Sequence, residues 1–305
     1  MSDKSLRALV IGGSGEIGQA IVSALKTKGA DVIVTSRKLD PNNPNVKRLN
    51  LEHPERFQMR QPVDVAYFCA GMTDLVECQK QPGYSWEINV KSHIRLIREL
   101  YAQGTFVVYF SSHLIFDGSV PHVKENSRKK PHCRFAEQKV AVEEYLSKLD
   151  SSYGIIRLSD VIGPNTNFLC HWANALKQGE TIQAVRELSI APVGLDEVVQ
   201  AAIQIGTKRK KGIFQLSGEK DVPFDRVAVE LAEQLGVPSS LVEAIDADDA
   251  NWDIVARPDH TTLDTHRAKQ ELGFKPESWS EILRHFIETN RLRSEQPYSS
   301  IADET

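Results

Sequence analysis

Three glycines near the start of the chain are spaced in the pattern G-x-x-G-x-x-G. Gly12, Gly15 and Gly18 follow an apolar run and precede an apolar-periodic segment, which predicts a strand, a tight turn and a helix. In such a turn the first glycine permits a sharp exit from the strand, the second lets a pyrophosphate approach the backbone, and the third permits close helix packing. The helix start, including Glu16 and Ile17, offers free N–H groups to phosphates. The pattern predicts dinucleotide binding, with a tight turn that holds no ligand as the alternative.

The end of the predicted second strand, Asp31–Ser36, carries the residues that would choose between NAD and NADP. An acidic residue there would hydrogen-bond a ribose 2′-hydroxyl, but this chain reads Thr35-Ser36-Arg37-Lys38. A hydroxyl and two cations suit a 2′-phosphate, so we expect Ser36 and Arg37 to favour NADP(H) over NAD(H). The alternative is that Arg37 and Lys38 are ordinary surface charges in a turn.

Small residues follow the predicted fourth strand, Val65–Cys69. Ala70 and Gly71 would let a flat ring or a ribose pass close to the backbone. We therefore expect Cys69, Ala70 and Gly71 to line the path of the cofactor.

Polar residues also follow the very apolar strand Thr105–Phe110. Ser112 and His113 come after this strand, at the edge where open α/β sheets place their ligands. A helix predicted from about residue 134 to residue 148 then carries Phe135 and Lys139 on one face, because residues four apart meet on a helix surface.

The order of the elements predicts an α/β fold of the Rossmann type, with a doubly wound parallel sheet and a smaller C-terminal substrate-binding domain. The first half alternates strands and helices, including a short third strand at 46–51 and a helix at 84–102, and the second half has longer helices with short strands between them. We expect a dinucleotide-binding domain over 1–160 with some later segments crossing back, a substrate-binding part over 161–290, and a flexible tail over 291–305.

Composition and charge narrow the class of partner. The chain has 305 residues, a hydrophobic content of 41% and a net charge of −4, which argues against nucleic acid. We find no apolar run long enough for a membrane span and no room for a signal peptide, so we expect a cytoplasmic protein. The four cysteines and nine histidines lack the spacing of a metal site, and reduced thiols are expected.

Taken together, the motifs resemble those of the extended short-chain dehydrogenase/reductases, and within them the dTDP-4-dehydrorhamnose reductase (RmlD-like) branch of sugar-nucleotide proteins. The resemblance covers nearly the whole chain in order, and Asn89 falls where the family has an asparagine inside a helix. The segments that carry it, besides the glycine motif, are Cys69–Gly71, Ser111–Gly118, Arg157–Phe168, Ile213–Gly218 and Arg257–Thr265.

The resemblance implies an NADP(H)-dependent reductase of a nucleotide-activated keto-deoxysugar. In the family a tyrosine gives a proton to the substrate carbonyl as hydride arrives. A lysine lowers the pKa of this tyrosine and holds the nicotinamide ribose, and a serine or threonine orients the carbonyl. Ser112 stands at the serine position and Lys139 at the lysine position, but the tyrosine position holds Phe135.

This departure opens the question of catalysis. Phenylalanine has no hydroxyl to donate, and loss of a positioned acid costs roughly 10²–10⁴-fold in rate. His113 and Asp160 also depart from the family pattern, and either side chain is a candidate for relaying a proton. The alternative for His113 is an ordinary polar residue at a strand end. The alternative for Asp160 is a helix cap or a surface acid.

Two functions therefore remain open from the sequence. One is a reductase whose proton comes from water, from His113 or from the substrate itself. The other is a regulatory protein that binds NADP(H) and a sugar nucleotide without turnover and works with a partner enzyme. A non-redox step such as epimerisation is a third reading, and a homodimer is compatible with all of them.

Overall fold

The computed structural model describes residues 5–39, 43–59, 61–150, 152–250 and 252–295. Its strands are β1 (Arg7–Ile11), β2 (Asp31–Ser36), β3 (Val46–Arg48), β4 (Val65–Phe68), β5 (Phe106–Ser112), β6 (Tyr153–Leu158), β7 (Asp160–Ile162), β8 (Ile182–Val185), β9 (Ser189–Ile190), β10 (Pro192–Gly194), β11 (Gly212–Leu216), β12 (Val222–Pro223) and β13 (Val242–Ile245). Its helices are α1 (Glu16–Thr27), α2 (Leu75–Lys80), α3 (Pro82–Trp86), α4 (Ser92–Ala102), α5 (Arg134–Leu146), α6 (Asn167–Lys177), α7 (Leu195–Thr207), α8 (Phe224–Leu235), α9 (His266–Leu272) and α10 (Trp279–Glu295).

Seven strands form one parallel sheet in the order β11-β6-β5-β4-β1-β2-β3. The order reverses between β1 and β4, so the connections diverge there and leave a crevice at the carboxyl edge of the sheet. The central strands are apolar on both faces because helices cover both faces. The fold class predicted from the sequence is confirmed.

Two apolar layers hold these helices on the sheet. On one face, side chains of α1, α7 and α9 pack on alternate residues of the strands, with Ile21 and Leu25 fully buried. On the other face, α4 and α5 pack on the remaining strand residues, with Ile97 and Val142 fully buried. Because successive side chains of a strand point to opposite faces of the sheet, each strand contributes residues to both helix layers.

A third apolar core lies in the second half of the chain, among α6, α8 and α10. Three two-stranded sheets, β7–β10, β9–β12 and β8–β13, accompany it. The segments α7, β11 and α9 of the second half pack on or join the main sheet. No helix among the described residues is long and apolar enough to cross a membrane.

Several element boundaries differ from the sequence-based expectation. The third strand ends at Arg48 rather than Leu51, and the expected helix 84–102 begins at Pro82 and contains one π-helical turn over Glu87–Lys91. Residues 291–295, expected to lie in a flexible tail, belong to the end of α10, and residues 296–305 lie outside the described part of the chain.

Candidate dinucleotide and sugar site

The glycine turn after β1 is built so that only glycine fits at its key positions. Gly12 has a φ of +86°, a region that favours glycine. A Cβ on Gly18 would lie 2.2 Å from the carbonyl oxygen of Gly12, so α1 approaches the turn as closely as its backbone permits. The hydroxyl of Thr35 accepts a hydrogen bond from the Gly12 N–H at 3.1 Å and is buried. Thr35 therefore braces the turn through its hydroxyl oxygen.

A cleft of about 580 Å³ opens above this turn, at the crevice of the sheet. Its volume lies within the range of small-molecule sites. Seven of the residues expected to bind the cofactor line it, namely Gly12, Gly15, Ser36, Arg37, Cys69, Ala70 and Gly71. The others in its wall are Ser14, Thr35, Leu49, Asn50, Leu51, Glu52, Met72, Tyr84 and Ile88.

Glu16, Ile17 and Gly18, also expected at the cofactor, lie beside the cleft rather than in its wall. The Glu16 carboxylate accepts a hydrogen bond from the backbone N–H of Asn165 at 2.7 Å, which ties α1 to the second half of the chain. Ile17 packs on the sheet core, and Gly18 is buried behind the turn. Their contribution to a phosphate site is therefore limited to the backbone at the start of α1.

The far end of the cleft comes from segments that the sequence analysis did not select. Asn50, Leu51 and Glu52 follow the edge strand β3, while Tyr84 and Ile88 come from α3 and the π-helical turn. No motif connects these two segments, which are more than thirty residues apart in the chain. Only the pairing of β3 with β2 brings the first of them to the cleft.

The loop after β4 is held by the buried side chain of Asn89. This amide accepts from the Met72 N–H at 2.8 Å and donates to the Met72 carbonyl at 2.8 Å. It also donates to Gln138 Oε1 at 2.7 Å, and Gln138 donates to Ser85 Oγ at 2.7 Å. Because Gln138 precedes Lys139 on α5, this network connects the cofactor cleft to the helix of the expected catalytic lysine.

Lys139 lies at the carboxyl end of β5, where the family lysine is expected. Its Nζ donates a hydrogen bond to the Phe110 carbonyl at 2.8 Å and lies 5.0 Å from the ring centroid of Tyr109. Burial lowers the pKa of Lys139 to about 8, although the nearby Glu143 carboxylate opposes this shift. The ammonium therefore lies at the carboxyl edge of the sheet, with its pKa lowered towards neutrality.

Phe135 occupies the tyrosine position as a buried apolar side chain. Its ring lies 5.2 Å from Lys139 Nζ and is 8% exposed. It packs in a cluster with Cys78 and Cys133, against which Val255 of a long connecting segment also packs. The ring keeps the aromatic bulk of a tyrosine but offers no proton.

The other three candidates for chemistry are all engaged with the backbone. Ser112 Oγ accepts from the Leu114 N–H at 3.2 Å, which leaves its own proton free to donate. His113 Nδ1 lies 3.4 Å from the Leu158 carbonyl oxygen. Asp160 Oδ2 accepts from the Ala191 N–H at 3.1 Å and so connects β7 to the turn before β10.

A buried ion pair fixes the orientation of α5. Arg157 of β6 makes two hydrogen bonds to the Glu143 carboxylate, at 3.0 and 2.8 Å, and both side chains are about 1% exposed. Burial would raise the pKa of Glu143, but the hydrogen bonds and charges of Arg157 and Lys129 bring it below its ordinary value. The pair holds the helix that carries both Phe135 and Lys139.

A family model described as the RmlD substrate binding domain matches residues 6–292. The chain belongs to this family. A curated relative, the spore coat polysaccharide biosynthesis protein SpsK of Bacillus subtilis, is 25% identical over 288 residues, covering 92% of this chain and 97% of the relative. The methionine adenosyltransferase 2 subunit beta of Rattus norvegicus is 22% identical over 254 residues, covering 79% and 75% respectively.

Solved structures share the fold of this family member. The dTDP-4-dehydrorhamnose reductase of Bacillus anthracis, solved in complex with NADP, gives a TM-score of 0.82 at 18% identity and covers 93% of this chain and 99% of that one. MoeE5, solved with UDP-glucose and NAD, gives a TM-score of 0.78 at 21% identity and covers 95% and 100%. At these identities the likeness concerns the fold.

Proposed function

We propose that this chain binds NADP(H) and a nucleotide sugar at the carboxyl edge of its sheet, and that its carbonyl reduction is strongly impaired. The observation that carries the proposal is the pair Lys139 and Phe135. The ammonium expected to hold the cofactor is present, whereas the ring beside it has no hydroxyl to donate.

The cofactor part of this proposal is supported by the cleft above the glycine turn. Its wall contains Gly12 and Gly15 together with the exposed guanidinium of Arg37. Among the residues that the structure describes, no carboxylate lies within 4.0 Å of this guanidinium, so it is available to a 2′-phosphate. The fold relative from Bacillus anthracis holds NADP, although MoeE5 holds NAD.

The sugar part is supported by family membership and by the relatives. SpsK is a polysaccharide biosynthesis protein by name, and MoeE5 holds UDP-glucose. In this chain the sugar would approach Ser112, whose hydroxyl proton is free to reach a carbonyl oxygen.

Impairment follows from the lack of a positioned acid at residue 135. One ring nitrogen of His113, Nδ1, is engaged with the Leu158 carbonyl oxygen at 3.4 Å. One oxygen of Asp160 is already bound to the backbone N–H of Ala191. A factor of roughly 10²–10⁴ in rate is the usual cost of losing a general acid.

The first test is a titration of the purified chain with NADPH and NADH by fluorescence, with turnover of a dTDP-4-keto-6-deoxysugar assayed in the same samples. We expect NADPH to bind and turnover to be absent or very slow. Fast turnover by the wild-type chain would overturn the impairment, and a chain that binds neither dinucleotide would overturn the whole proposal.

A working reductase is the second candidate, and the position of the Lys139 ammonium 5.2 Å from the ring centroid of Phe135 favours it. The pKa of Lys139, lowered by burial to about 8, makes its ammonium a competent acid near neutral pH. Reduction by this route would stop as the pH rises through about 8, because the donor would then be neutral. A pH profile of any wild-type turnover tests this candidate directly.

A chain that binds its ligands but reduces the sugar poorly would have a regulatory role. The relative named as the beta subunit of a methionine adenosyltransferase is, by that name, part of a larger enzyme. We accordingly propose that the chain works with a partner enzyme. Co-purification of the tagged chain at its natural abundance, with NADPH present and absent, tests this part of the proposal.

A further inference from the structure

The wall of the cofactor cleft holds a carboxylate that no motif accounts for. Glu52 follows the edge strand β3 and lines the cleft together with Arg37. Its Oε1 accepts a hydrogen bond from the hydroxyl of Tyr84, and its Oε2 accepts one from Asn50 Nδ2 at 3.1 Å. The Glu52 N–H in turn donates to Asn50 Oδ1 at 3.1 Å. Both carboxylate oxygens therefore have fixed donors.

The charge of this carboxylate is secure at neutral pH. The hydrogen bond from Tyr84, then that from Asn50, lowers the pKa of Glu52, and the nearby charge of Arg37 adds to this effect. The same hydrogen bond raises the pKa of Tyr84, so the phenol keeps its proton. A permanent negative charge therefore shares the cleft wall with the cation expected to receive a 2′-phosphate.

These two charges act in opposite directions on the cofactor. Arg37 attracts a 2′-phosphate, whereas a carboxylate in the same wall repels it. The two side chains are not joined as an ion pair, since no contact within 4.0 Å links them among the described residues, so Arg37 is not neutralised by direct contact with Glu52. NADP(H) is repelled more strongly than NAD(H), because its additional 2′-phosphate is expected beside Arg37, whereas the pyrophosphate that both dinucleotides carry is expected at the glycine turn.

We infer that Glu52 is a specificity-determining residue that holds the preference for NADP(H) over NAD(H) below the level that Arg37 alone would give. The inference rests on the proposed function, because it needs a dinucleotide in this cleft.

The test is the Glu52→Gln variant, which keeps the shape of the side chain and an oxygen that can accept from Tyr84. NADPH and NADH are titrated against wild type and variant by fluorescence. We expect the NADPH Kd to fall about two- to seven-fold, the size expected for one charge acting on a phosphate dianion roughly 7 Å away across salt water. The NADH Kd should stay within about 1.5-fold.

Two further variants separate charge from structure. Glu55→Gln is the matched control, because Glu55 lies on the next turn, exposed and outside the cleft wall, and it should leave both Kd values unchanged. Tyr84→Phe removes the hydrogen bond from the phenol but keeps the charge on Glu52. If the charge of Glu52 is the cause, Tyr84→Phe should not show the selective fall in the NADPH Kd.

Three results of these titrations can be told apart. Binding of both dinucleotides with an unchanged NADPH-to-NADH ratio in Glu52→Gln would overturn the inference and leave the proposed function standing. An equal gain for NADH would assign Glu52 a structural role instead and would also overturn it. A wild-type chain that binds neither dinucleotide is the distinct result that removes the proposed function itself.

Discussion

The ammonium of Lys139 lies 5.2 Å from the ring centroid of Phe135 and donates a hydrogen bond to the Phe110 carbonyl at 2.8 Å. In the enzymes that the chain resembles, the lysine acts beside a tyrosine hydroxyl, so that one cation serves both cofactor binding and proton transfer. Here the cation remains and the hydroxyl is absent. Under the proposed function, the chain would keep cofactor binding and lose proton transfer, so that each can be measured without the other.

Replacement of Lys139 by methionine should weaken NADPH binding without unfolding the protein. A charge-assisted hydrogen bond contributes about 1.5–3 kcal/mol, so we expect a Kd higher by roughly 10- to 100-fold. The melting temperature should not fall, because burial of the ammonium is unfavourable and methionine fills a similar volume. Lys148→Met, an exposed position beyond the end of α5, is the control and should change neither quantity.

The affinity for NADPH should depend on pH through Lys139. Burial places its pKa at about 8, below the ordinary 10.5, so the ammonium is present below about pH 8 and is lost above it. The Kd for NADPH should therefore be flat at low pH and rise by up to about ten-fold per pH unit above 8. Lys139→Met should remove this rise, and a wild-type Kd that is flat to pH 10 would contradict the assignment.

Gly18→Ala should damage the turn, whereas Gly83→Ala should not. A Cβ on Gly18 would lie 2.2 Å from the Gly12 carbonyl oxygen, while one on Gly83 would meet no atom within 4 Å. We expect a loss of about 2 kcal/mol or more in the free energy of unfolding for the first variant and no loss for the second. Urea unfolding measures both, and equal stability of the two variants would show that α1 can move away.

Removal of one partner of the buried pair between Glu143 and Arg157 should be costly. Glu143→Gln leaves the Arg157 guanidinium buried without a counter-charge, and such a change costs about 3–5 kcal/mol of unfolding free energy. Glu144→Gln, at an exposed neighbouring position, should stay within about 0.5 kcal/mol of wild type. A loss for Glu143→Gln no greater than that of Glu144→Gln would mean that the pair is not needed to hold α5.

The glycine turn and the positions after the parallel strands could be predicted because their signals are local. Gly12 needs a positive φ, and Gly18 needs the absence of a Cβ, and both constraints are visible as glycines in the sequence. Ser36 ends β2, Arg37 follows it, and Gly71 lies shortly after β4, and parallel strands bring their carboxyl ends to one edge. All three lie in the wall of the cleft.

The rest of the site depends on long-range packing that leaves no local signal. A hydrogen bond joins the side chains of Glu52 and Tyr84, although their segments come before and after β4 in the chain. Thr35 precedes the expected ligands Ser36 and Arg37, and its hydroxyl accepts a hydrogen bond from the Gly12 N–H, which the sequence does not indicate. The backbone partners of His113 and Asp160 belong to β6 and to the turn before β10, and neither partner is close in sequence.

The measurement that tests the central claim most directly is a single-turnover reduction of a dTDP-4-keto-6-deoxysugar by chain preloaded with NADPH. Wild type, Phe135→Tyr and the control Phe135→Leu are compared by the loss of NADPH absorbance. We predict that Phe135→Tyr reduces the sugar at least about 10²-fold faster than wild type, while Phe135→Leu does not exceed wild type. Equal rates for wild type and Phe135→Tyr, with NADPH and sugar bound in both, would contradict the claim that the missing hydroxyl limits this protein.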